Sequence, residues 1–381
     1  MHRFKANHWL ATFFASFFFC WGIFLPFWPL WLEQEGLDPG LVGTVLGVAL
    51  FLRCLSSLWL VNRVQRESQL IIAIRWLCLL TLGVFALFLA FNGWYWLAGL
   101  TLLANFIIAP LIPLGDAVAT RWVKQIGLDY GKVRLWGSIS FIVAAIATGW
   151  LSEQYGHHVI LYTLLFALLL TFSVAILNPT PALTDSQQTN TVRASLWQVC
   201  RLPGLWQFLL VTSCIQGSHG AYYTYSAIYW QSAGIPETVI GYLWAFAVVA
   251  EVLLMANAKR WFANVTLPKL FMLAATGAVI RWTVLALSTD VTVLFLSQAL
   301  HAFTFALAQI AAIRFIAEKA PAAYSIQLQA LYSALALGLA IALATLVSSS
   351  LYQAWQGNVF WLMALMVLPV FVIYGRASSN S

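Results

Sequence analysis

Apolar segments of about twenty residues, each long enough to cross a bilayer as one helix, recur from one end of the chain to the other. They are continuous, whereas the strands of an outer-membrane barrel alternate apolar and polar residues over about ten positions. Only 8% of the 381 residues are charged, against about 25% in soluble domains. We therefore predict an all-α polytopic membrane protein with twelve transmembrane helices, at residues 9–31, 41–61, 69–91, 94–120, 135–152, 158–178, 205–230, 238–258, 267–288, 291–313, 325–350 and 357–375.

The basic residues alternate along this pattern, and Lys and Arg collect on the cytoplasmic side of membranes. Fifteen of the 19 Lys and Arg residues fall at the termini or in the loops after even-numbered helices. The loops after odd-numbered helices hold no Lys or Arg, but they do hold six acidic residues. This distribution predicts that both termini are cytoplasmic. The net charge of +7 therefore reflects membrane topology, and we expect no nucleic-acid partner.

Residues 179–203 contain a polar stretch whose composition is typical of a flexible linker. This linker divides the chain into an N-terminal six-helix bundle at residues 1–178 and a C-terminal six-helix bundle at residues 204–381. Two bundles joined by a cytoplasmic linker are the architecture of a secondary transporter, whose substrate site lies near the middle of the membrane.

The sequence lacks the motifs that would indicate an enzyme or an ATP-driven pump. It contains no phosphate-binding GxxxxGK[ST] loop, no HExxH, no CxxC and no GxSxG. A polytopic acyltransferase would need a catalytic histidine at one interface, whereas His301 lies about midway along the tenth predicted helix. We therefore predict that the chain is not an enzyme, needs no cofactor or metal, and draws its energy from a gradient.

Ionisable side chains within the predicted helices are few, and each costs at least a few kcal/mol in the membrane. Asp116 falls late in the fourth helix and Arg134 at the start of the fifth, so that the two can face each other across a short loop. They form either a salt bridge that fixes this hairpin or a cation with its counter-ion at a cavity wall. For Arg53 and Arg75 the simplest expectation is that each extends to the cytoplasmic interface.

Three further ionisable residues lie on consecutive helices at similar depth. Glu251 is past the middle of the eighth predicted helix, Arg281 is about midway along the ninth, and His301 is about midway along the tenth. Such a set is not expected to face lipid. It forms either part of a transport site, which is the interpretation we favour, or a static structural triad.

The seventh predicted helix carries an unusually polar and aromatic run from Gln216 to Ser226. At helical spacing His219, Tyr223 and Ser226 share one face, which we expect to line water or ligand. The alternative for His219 is a hydrogen-bonded packing residue without contact to a ligand.

At several positions the residues resemble the major facilitator superfamily and, within it, the lactose permease-like proton symporters. The first helix has the spacing Gly-x-x-x-Pro-Phe-x-Pro-x-Trp-Leu from Gly22, and the fifth opens with Gly131-x-x-Arg134-x-x-Gly137. The resemblance implies that Asp116 and Arg134 grip the substrate. It also implies that Glu251, Arg281 and His301 occupy the positions of the glutamate, arginine and histidine of that family.

The chain departs from the family pattern at two positions of its tenth predicted helix. Thr304 stands one turn past the histidine, where the family has the glutamate of its proton step, and Gln298 replaces a lysine. The sequence is also similar to the bacterial 3-phenylpropionate permeases, through Pro110-Leu-Ile-Pro-Leu-Gly-Asp-Ala, the run from Asp129 to Ser138, and Ala221-Tyr-Tyr-Thr-Tyr-Ser. This second resemblance implies uptake of an aromatic carboxylate across the bacterial cytoplasmic (inner) membrane.

We therefore predict a monomeric proton symporter that imports a 3-phenylpropionate-like acid by alternating access, with the substrate, the proton and the bilayer as its partners. Tyr225 is expected to pack the substrate ring beside the neighbouring tyrosines. The predicted substrate-binding residues are Arg134, Asp116, Arg281, His219, Tyr222 and Tyr223. The predicted proton-coupling residues are Glu251 and His301. A sugar symporter is the first alternative, and an efflux antiporter is the second.

Overall fold

The computed structural model describes residues 4–61, 63–64, 66–185, 196–321 and 324–378, and this part of the chain is almost entirely helical. Long apolar segments become helices because a helix satisfies every backbone polar group internally, without water. The first half contains the helices α1 Ala6–Gln34, α2 Pro39–Val61, α3 Leu70–Leu87, α4 Trp94–Ile108, α5 Leu111–Ile126, α6 Tyr130–Tyr155 and α7 His158–Ala175. The second half contains α8 Leu196–Val199, α9 Leu205–Gly217, α10 Gly220–Ser232, α11 Glu237–Phe262, α12 Leu267–Leu287, α13 Val291–Ala299, α14 Ala308–Lys319, α15 Ser325–Ala334, α16 Ala340–Trp355, α17 Val359–Val367 and α18 Pro369–Ser378.

Ten helical segments in the described ranges are long and apolar enough to cross a membrane. One of them, Gln327–Tyr374, has 48 residues and covers nearly all of the two predicted helices 325–350 and 357–375. The predicted helix 205–230 is not continuous, because it forms α9 and α10 of 13 residues each, which are separated by Ser218 and His219. Large apolar side chains lie on the outside, such as Leu296 with 69% of its surface exposed, as expected of a chain surrounded by lipid.

The chain forms two compact units. Unit 1 consists of Met1–Asp38, Val48–Gln187 and Pro236–Ala245. Unit 2 consists of Pro39–Gly47, Gln188–Ile235 and Phe246–Ser381.

Unit 1 is built around α1, whose aromatic side chains are buried against α6 and α7. The closest approach is at Gly22, where an added Cβ would lie 2.5 Å from the carbonyl oxygen of Phe141 and 2.8 Å from the Cβ of Ala144. Glycine is therefore required for α1 and α6 to pack at this distance. In unit 2, Gly43 of α2 packs in the same way against Tyr225 and Ser349, and Gly47 packs against Leu346. These contacts show that Gly43 and Gly47, two small residues four positions apart, serve helix packing.

The first described residues of the predicted linker 179–203 are attached to unit 1. Strand β1, Phe4–Lys5, pairs in parallel with strand β2, Pro179–Thr180, and Leu183 is buried. The carboxylate of Asp185 accepts hydrogen bonds from the backbone N–H of Ser68 at 2.9 Å and from its hydroxyl at 3.0 Å. Linker residues 186–195 lie outside the described residues.

Two π-helical turns, Ala302–Leu307 and Leu335–Leu339, interrupt the helices of unit 2. The first joins α13 to α14 within the predicted tenth helix, directly after His301. A π-helical turn changes the direction of the side chains around it and occurs frequently at functional sites. This turn therefore helps to determine how polar residues of that helix are presented.

Candidate functional site

Arg281 of α12 is the centre of a buried polar cluster in unit 2. Its side chain is completely buried, with 0% of the residue surface exposed. One terminal nitrogen, Nη1, donates to His301 Nδ1 at 2.9 Å and to Thr304 Oγ1 at 3.1 Å. The other, Nη2, donates to Gln298 Oε1 at 2.9 Å. All three hydrogen-bonding partners come from one helical segment, so that the guanidinium fastens α12 to the region of the π-helical turn.

The partners of His301 determine where its ring carries a proton. A guanidinium can only donate, so His301 Nδ1 must accept from Arg281 and carries no hydrogen. The ring is therefore neutral in this arrangement, with its hydrogen on Nε2. His301 Nε2 lies 3.6 Å from Glu251 Oε2 of α11. The His301 ring thus lies between Arg281 on its Nδ1 side and Glu251 on its Nε2 side.

A second row of hydrogen bonds leads from Arg281 to His219, which lies in the break between α9 and α10. Thr304 Oγ1, which accepts from Arg281, is 3.1 Å from His219 Nε2. His219 Nδ1 is 3.1 Å from the backbone carbonyl oxygen of Gln216, which can only accept. In a neutral His219 ring Nε2 is then the acceptor, and the Thr304 hydroxyl donates a hydrogen bond to it. His219, predicted as a site residue, is joined to Arg281 through Thr304.

Aromatic rings enclose the guanidinium of Arg281. Its Cζ lies 4.3 Å from the centre of the Tyr222 ring and 4.7 Å from that of Trp282. The Tyr222 hydroxyl donates to Gln298 Oε1 at 2.8 Å, and the Tyr223 ring stacks on His219 with centroids 5.5 Å apart. These contacts bring Tyr222 and Tyr223 into the cluster.

Tyr225 belongs to a different contact. Its ring stacks on Tyr352 with centroids 3.9 Å apart, and its hydroxyl donates to the backbone carbonyl of Pro39 at 3.1 Å. The structure therefore does not bring Tyr225 into the cluster with Tyr222 and Tyr223, and its contact with the substrate ring stays a prediction. Tyr225 lies about 4.5 Å further along α10 than Tyr222, at 1.5 Å per residue, and at that level its neighbours are Tyr352 and Pro39.

The charge of Arg281 has no direct counter-ion in the described residues. Its hydrogen-bonding partners are an amide, a hydroxyl and a neutral imidazole, and its Nε–H is buried without a partner among those residues. A buried cation is normally stabilised by a carboxylate. The cluster can therefore bind an anion, since an arriving carboxylate would replace a neutral acceptor with a charged one.

Asp116 and Arg134, the predicted pair in unit 1, are not joined to each other by an ion pair in the described structure. Asp116 Oδ1 accepts a hydrogen bond from the Tyr130 hydroxyl at 2.9 Å. The Arg134 guanidinium instead stacks on Phe18, with Cζ 3.8 Å from the ring centre. The salt-bridge interpretation of this hairpin is therefore wrong, because Tyr130 takes the carboxylate and the aromatic face of α1 takes the guanidinium.

The two other arginines of unit 1 also have defined contacts. Arg75 hydrogen-bonds the backbone carbonyls of Ala175 and Leu177 at 2.8 and 3.0 Å, and so caps the carboxyl end of α7. Arg53 lies over the ring of Trp21, with Cζ 4.4 Å from its centre. Because Trp21 is near the middle of the 29-residue helix α1, the prediction that Arg53 extends to the interface is not supported.

Three residues of the unit 2 cluster were not among the predicted site residues. Gln298 and Thr304 were recognised only as departures from a family pattern, and Trp282 was not considered. Gln298, His301 and Thr304 follow one another at intervals of three residues, and that spacing on an apolar helix is a signal of one polar face. The ring of Trp282 gave no comparable signal, because 19 tryptophans occur in this chain.

Comparison with known proteins agrees with this architecture. The model of the MFS_1 like family matches residues 8–363. A protein of Escherichia coli (strain K12) named "Probable 3-phenylpropionic acid transporter" is 39% identical over 371 residues, which cover 97% of each chain. The maltose permease of Geobacillus stearothermophilus is 27% identical, over 90% of this chain and 87% of that protein. The crystal structure of the nucleoside transporter NupG shares the fold, with a TM-score of 0.78 at 14% identity over 100% of this chain and 99% of that chain.

Proposed function

Because the chain belongs to the MFS_1 like family of membrane transporters, we propose that it imports an aromatic carboxylate of the 3-phenylpropionate type by proton symport. The relatives and the fold are those of multi-pass transporters and not of enzymes. The name of the relative that is 39% identical supports the choice of substrate. Alternating access of the two bundles would carry the acid inward, with the proton gradient as the source of energy and without a cofactor.

The proposed topology has twelve crossings with both termini in the cytoplasm of a bacterial cell, and the protein acts as a monomer in the inner membrane. The 48-residue segment Gln327–Tyr374 would cross twice, because a single crossing needs about 20 residues. The short helices α9 and α10 would together form one crossing. The alternation of basic residues in the sequence supports the direction of threading.

The observation that carries the proposed substrate class is the environment of Arg281. A completely buried guanidinium between the rings of Tyr222 and Trp282, hydrogen-bonded only to neutral groups, matches a ligand that combines a carboxylate with a ring. The carboxylate would supply the missing negative charge, and the ring would pack on Tyr222, Tyr223 and His219. Asp116 and Arg134 are proposed as further contacts during the transport cycle.

The arrangement at His301 suggests how substrate and proton are coupled. A carboxylate that takes the Nη1 donor of Arg281 would release the lone pair of His301 Nδ1, which could then accept a proton. Glu251, 3.6 Å from Nε2 of the same ring, would stabilise the resulting imidazolium or take its proton. Binding of the acid would thereby favour protonation, which symport requires, although Thr304 stands where the related symporters have a glutamate.

Transport into proteoliposomes tests this proposal. Labelled 3-phenylpropionate should accumulate when the outer solution is made acidic, and an unlabelled aromatic acid should compete whereas a disaccharide should not. Uptake that is indifferent to the pH gradient would contradict proton symport. Competition by maltose would support the sugar symporter, which the maltose permease relative keeps as the second candidate. Net export against the gradient would instead indicate the efflux antiporter.

The Glu251→Gln variant separates coupling from binding. It should lose accumulation driven by the pH gradient and retain exchange of labelled for unlabelled substrate, because exchange requires no net movement of protons. Glu318→Gln is the matched control, since that glutamate is paired with Arg314 at 2.6 Å in an exposed position of α14. Loss of both activities in the first variant would make Glu251 a binding or structural residue.

A further inference from the structure

Two arginines of neighbouring helices in unit 1 lie against the aromatic side chains along one side of α1. Phe14, Phe18 and Trp21 follow at intervals of four and three residues and so lie on the same side of the helix. The Arg134 guanidinium covers Phe18 at 3.8 Å and Phe14 at 5.6 Å, measured from Cζ to the ring centres. The Arg53 guanidinium covers Trp21 at 4.4 Å. Two cations therefore lie against neighbouring rings of this helix.

Hydrogen-bond donors on this stripe lack acceptors. In the described part of the chain Arg53 has its cation–π contact with Trp21 but no hydrogen bond or ion pair to a protein atom. Trp21 is only 6% exposed, and its indole Nε1–H has no hydrogen-bond partner among the same residues. The buried indole N–H of Trp21 is costly without an acceptor, and the guanidinium of Arg53, which is partly exposed, lies beside it with charged donors directed by its cation–π contact. Asp116, the acid of the predicted hairpin, already accepts from Tyr130.

The depth of the stripe limits what can satisfy these donors. Trp21 lies near the middle of the 29-residue helix α1, about 20 Å along the helix from either end at 1.5 Å per residue. A lipid headgroup belongs to the membrane interface and does not reach this level. The complementary group is therefore a small solute that only accepts hydrogen bonds, carries negative charge, and tolerates an aromatic surface.

We propose that Trp21 and Arg53, beside Arg134, form a second carboxylate-binding subsite that belongs to unit 1 and is independent of Arg281. Its ligand class is a small organic carboxylate, held by the guanidinium of Arg53 and the indole N–H of Trp21. The proposal rests on the proposed function only in the choice of an aromatic acid as the probe. It assigns a binding role to Arg53, whereas the sequence predicted that this side chain extends to the membrane interface.

Equilibrium binding of 3-phenylpropionate to the purified full chain in detergent micelles tests the subsite. The measurement is made in an Arg281→Gln background, in which the anchor of the proposed function is absent. Weaker binding should remain there, at the subsite of unit 1, and adding Arg53→Gln should weaken it by a further tenfold or more, about the effect of losing a charge-assisted hydrogen bond. Arg63→Gln is the matched control, because that exposed arginine also covers a tryptophan, Trp59, at 4.4 Å, and it should leave binding unchanged.

Two results would overturn the subsite. One is unchanged affinity when Arg53→Gln is added, which would mean that water alone satisfies the guanidinium. The other is complete loss of binding in Arg281→Gln alone, which would leave Arg281 as the sole anchor. If Arg53→Gln does not fold, Trp21→Phe keeps an aromatic side chain and removes the indole N–H, and it should weaken binding about threefold or more. In this background the acid should still bind more tightly than its neutral amide, because only the acid carries the charge that Arg53 attracts. Failure of the proposed function would appear separately, as transport that does not depend on Arg281.

Discussion

Replacing Arg281 with glutamine should remove most of the affinity of the transporter for aromatic carboxylates. The guanidinium now donates three hydrogen bonds, to His301, Thr304 and Gln298. It is completely buried and has no carboxylate within ion-pairing distance in the described residues. A substrate carboxylate would accept two charge-assisted bonds from this group in the usual bidentate arrangement.

The expected size of the effect follows from those two bonds. Each hydrogen bond to a charged group contributes about 1.5–3 kcal/mol, so the pair contributes about 3–6 kcal/mol. Since about 1.4 kcal/mol corresponds to a tenfold change in affinity, the dissociation constant should rise by about two to four orders of magnitude. Arg281→Lys keeps the charge but loses the forked geometry and the stacking on Tyr222 and Trp282, so its affinity should be intermediate.

The assay is equilibrium binding of labelled 3-phenylpropionate, with its neutral amide as an internal comparison. The amide should lose much less affinity than the acid, because it carries no charge and offers Arg281 one carbonyl acceptor in place of the two carboxylate oxygens. Thermal unfolding of Arg281→Gln should stay close to that of the unmodified protein, since removing a desolvated cation offsets the lost hydrogen bonds. If the variant is folded and binds the acid within about threefold of the unmodified chain, less than 1 kcal/mol, then Arg281 does not anchor the carboxylate.

Three further predictions concern stability and attachment. Thr304→Val should lower the free energy of unfolding by about 1–3 kcal/mol, because one Arg281 donor and His219 Nε2 lose their shared hydroxyl. Thr276→Val is its control, since that exposed hydroxyl bonds only its own helix at Met272, and equal effects in thermal unfolding would argue against a special role for Thr304. Gly22→Ala should cost about 1–3 kcal/mol, because its Cβ would meet the Phe141 carbonyl at 2.5 Å. Gly83→Ala, where nothing lies within 4 Å, should be neutral or stabilising, and a neutral Gly22→Ala would disprove the close packing of α1 on α6. The backbone N–H of Ser68 lowers the pKa of the Asp185 carboxyl, so this attachment is present above the usual Asp range and is lost as the pH falls through the lowered pKa. Hydrogen exchange at the Ser68 amide should be slow at neutral pH and accelerate in acid or in Asp185→Ala, and equal protection in that variant would exclude the contact.

The composition of the candidate site shows where inference from sequence stops. Glu251, Arg281 and His301 were predicted as a group, because an isolated ionisable residue in a membrane helix is costly and such residues usually pair with one another. Gln298 and Thr304, which hold the guanidinium directly, were not predicted, because neutral polar residues are common in membrane helices and carry a weak signal. The spacing of Asp116 and Arg134 suggested an ion pair, but Tyr130 and Phe18 compete successfully for the two side chains.

The sequence by itself determined the all-helical membrane architecture, because the length and continuity of its apolar runs allow no other solution in lipid. It also identified the few ionisable residues that lie within the membrane helices, where a charge costs free energy. Only the tertiary structure decided what those residues meet. The break at Ser218 and His219 and the π-helical turn Ala302–Leu307 are local departures from helical geometry that no periodicity in the sequence reveals. They bring His219 and Thr304 into hydrogen-bonding contact and place Thr304 on Arg281. Side-chain partners depend on ångström-scale distances between distant segments, and the spacing of residues along one helix cannot specify those distances.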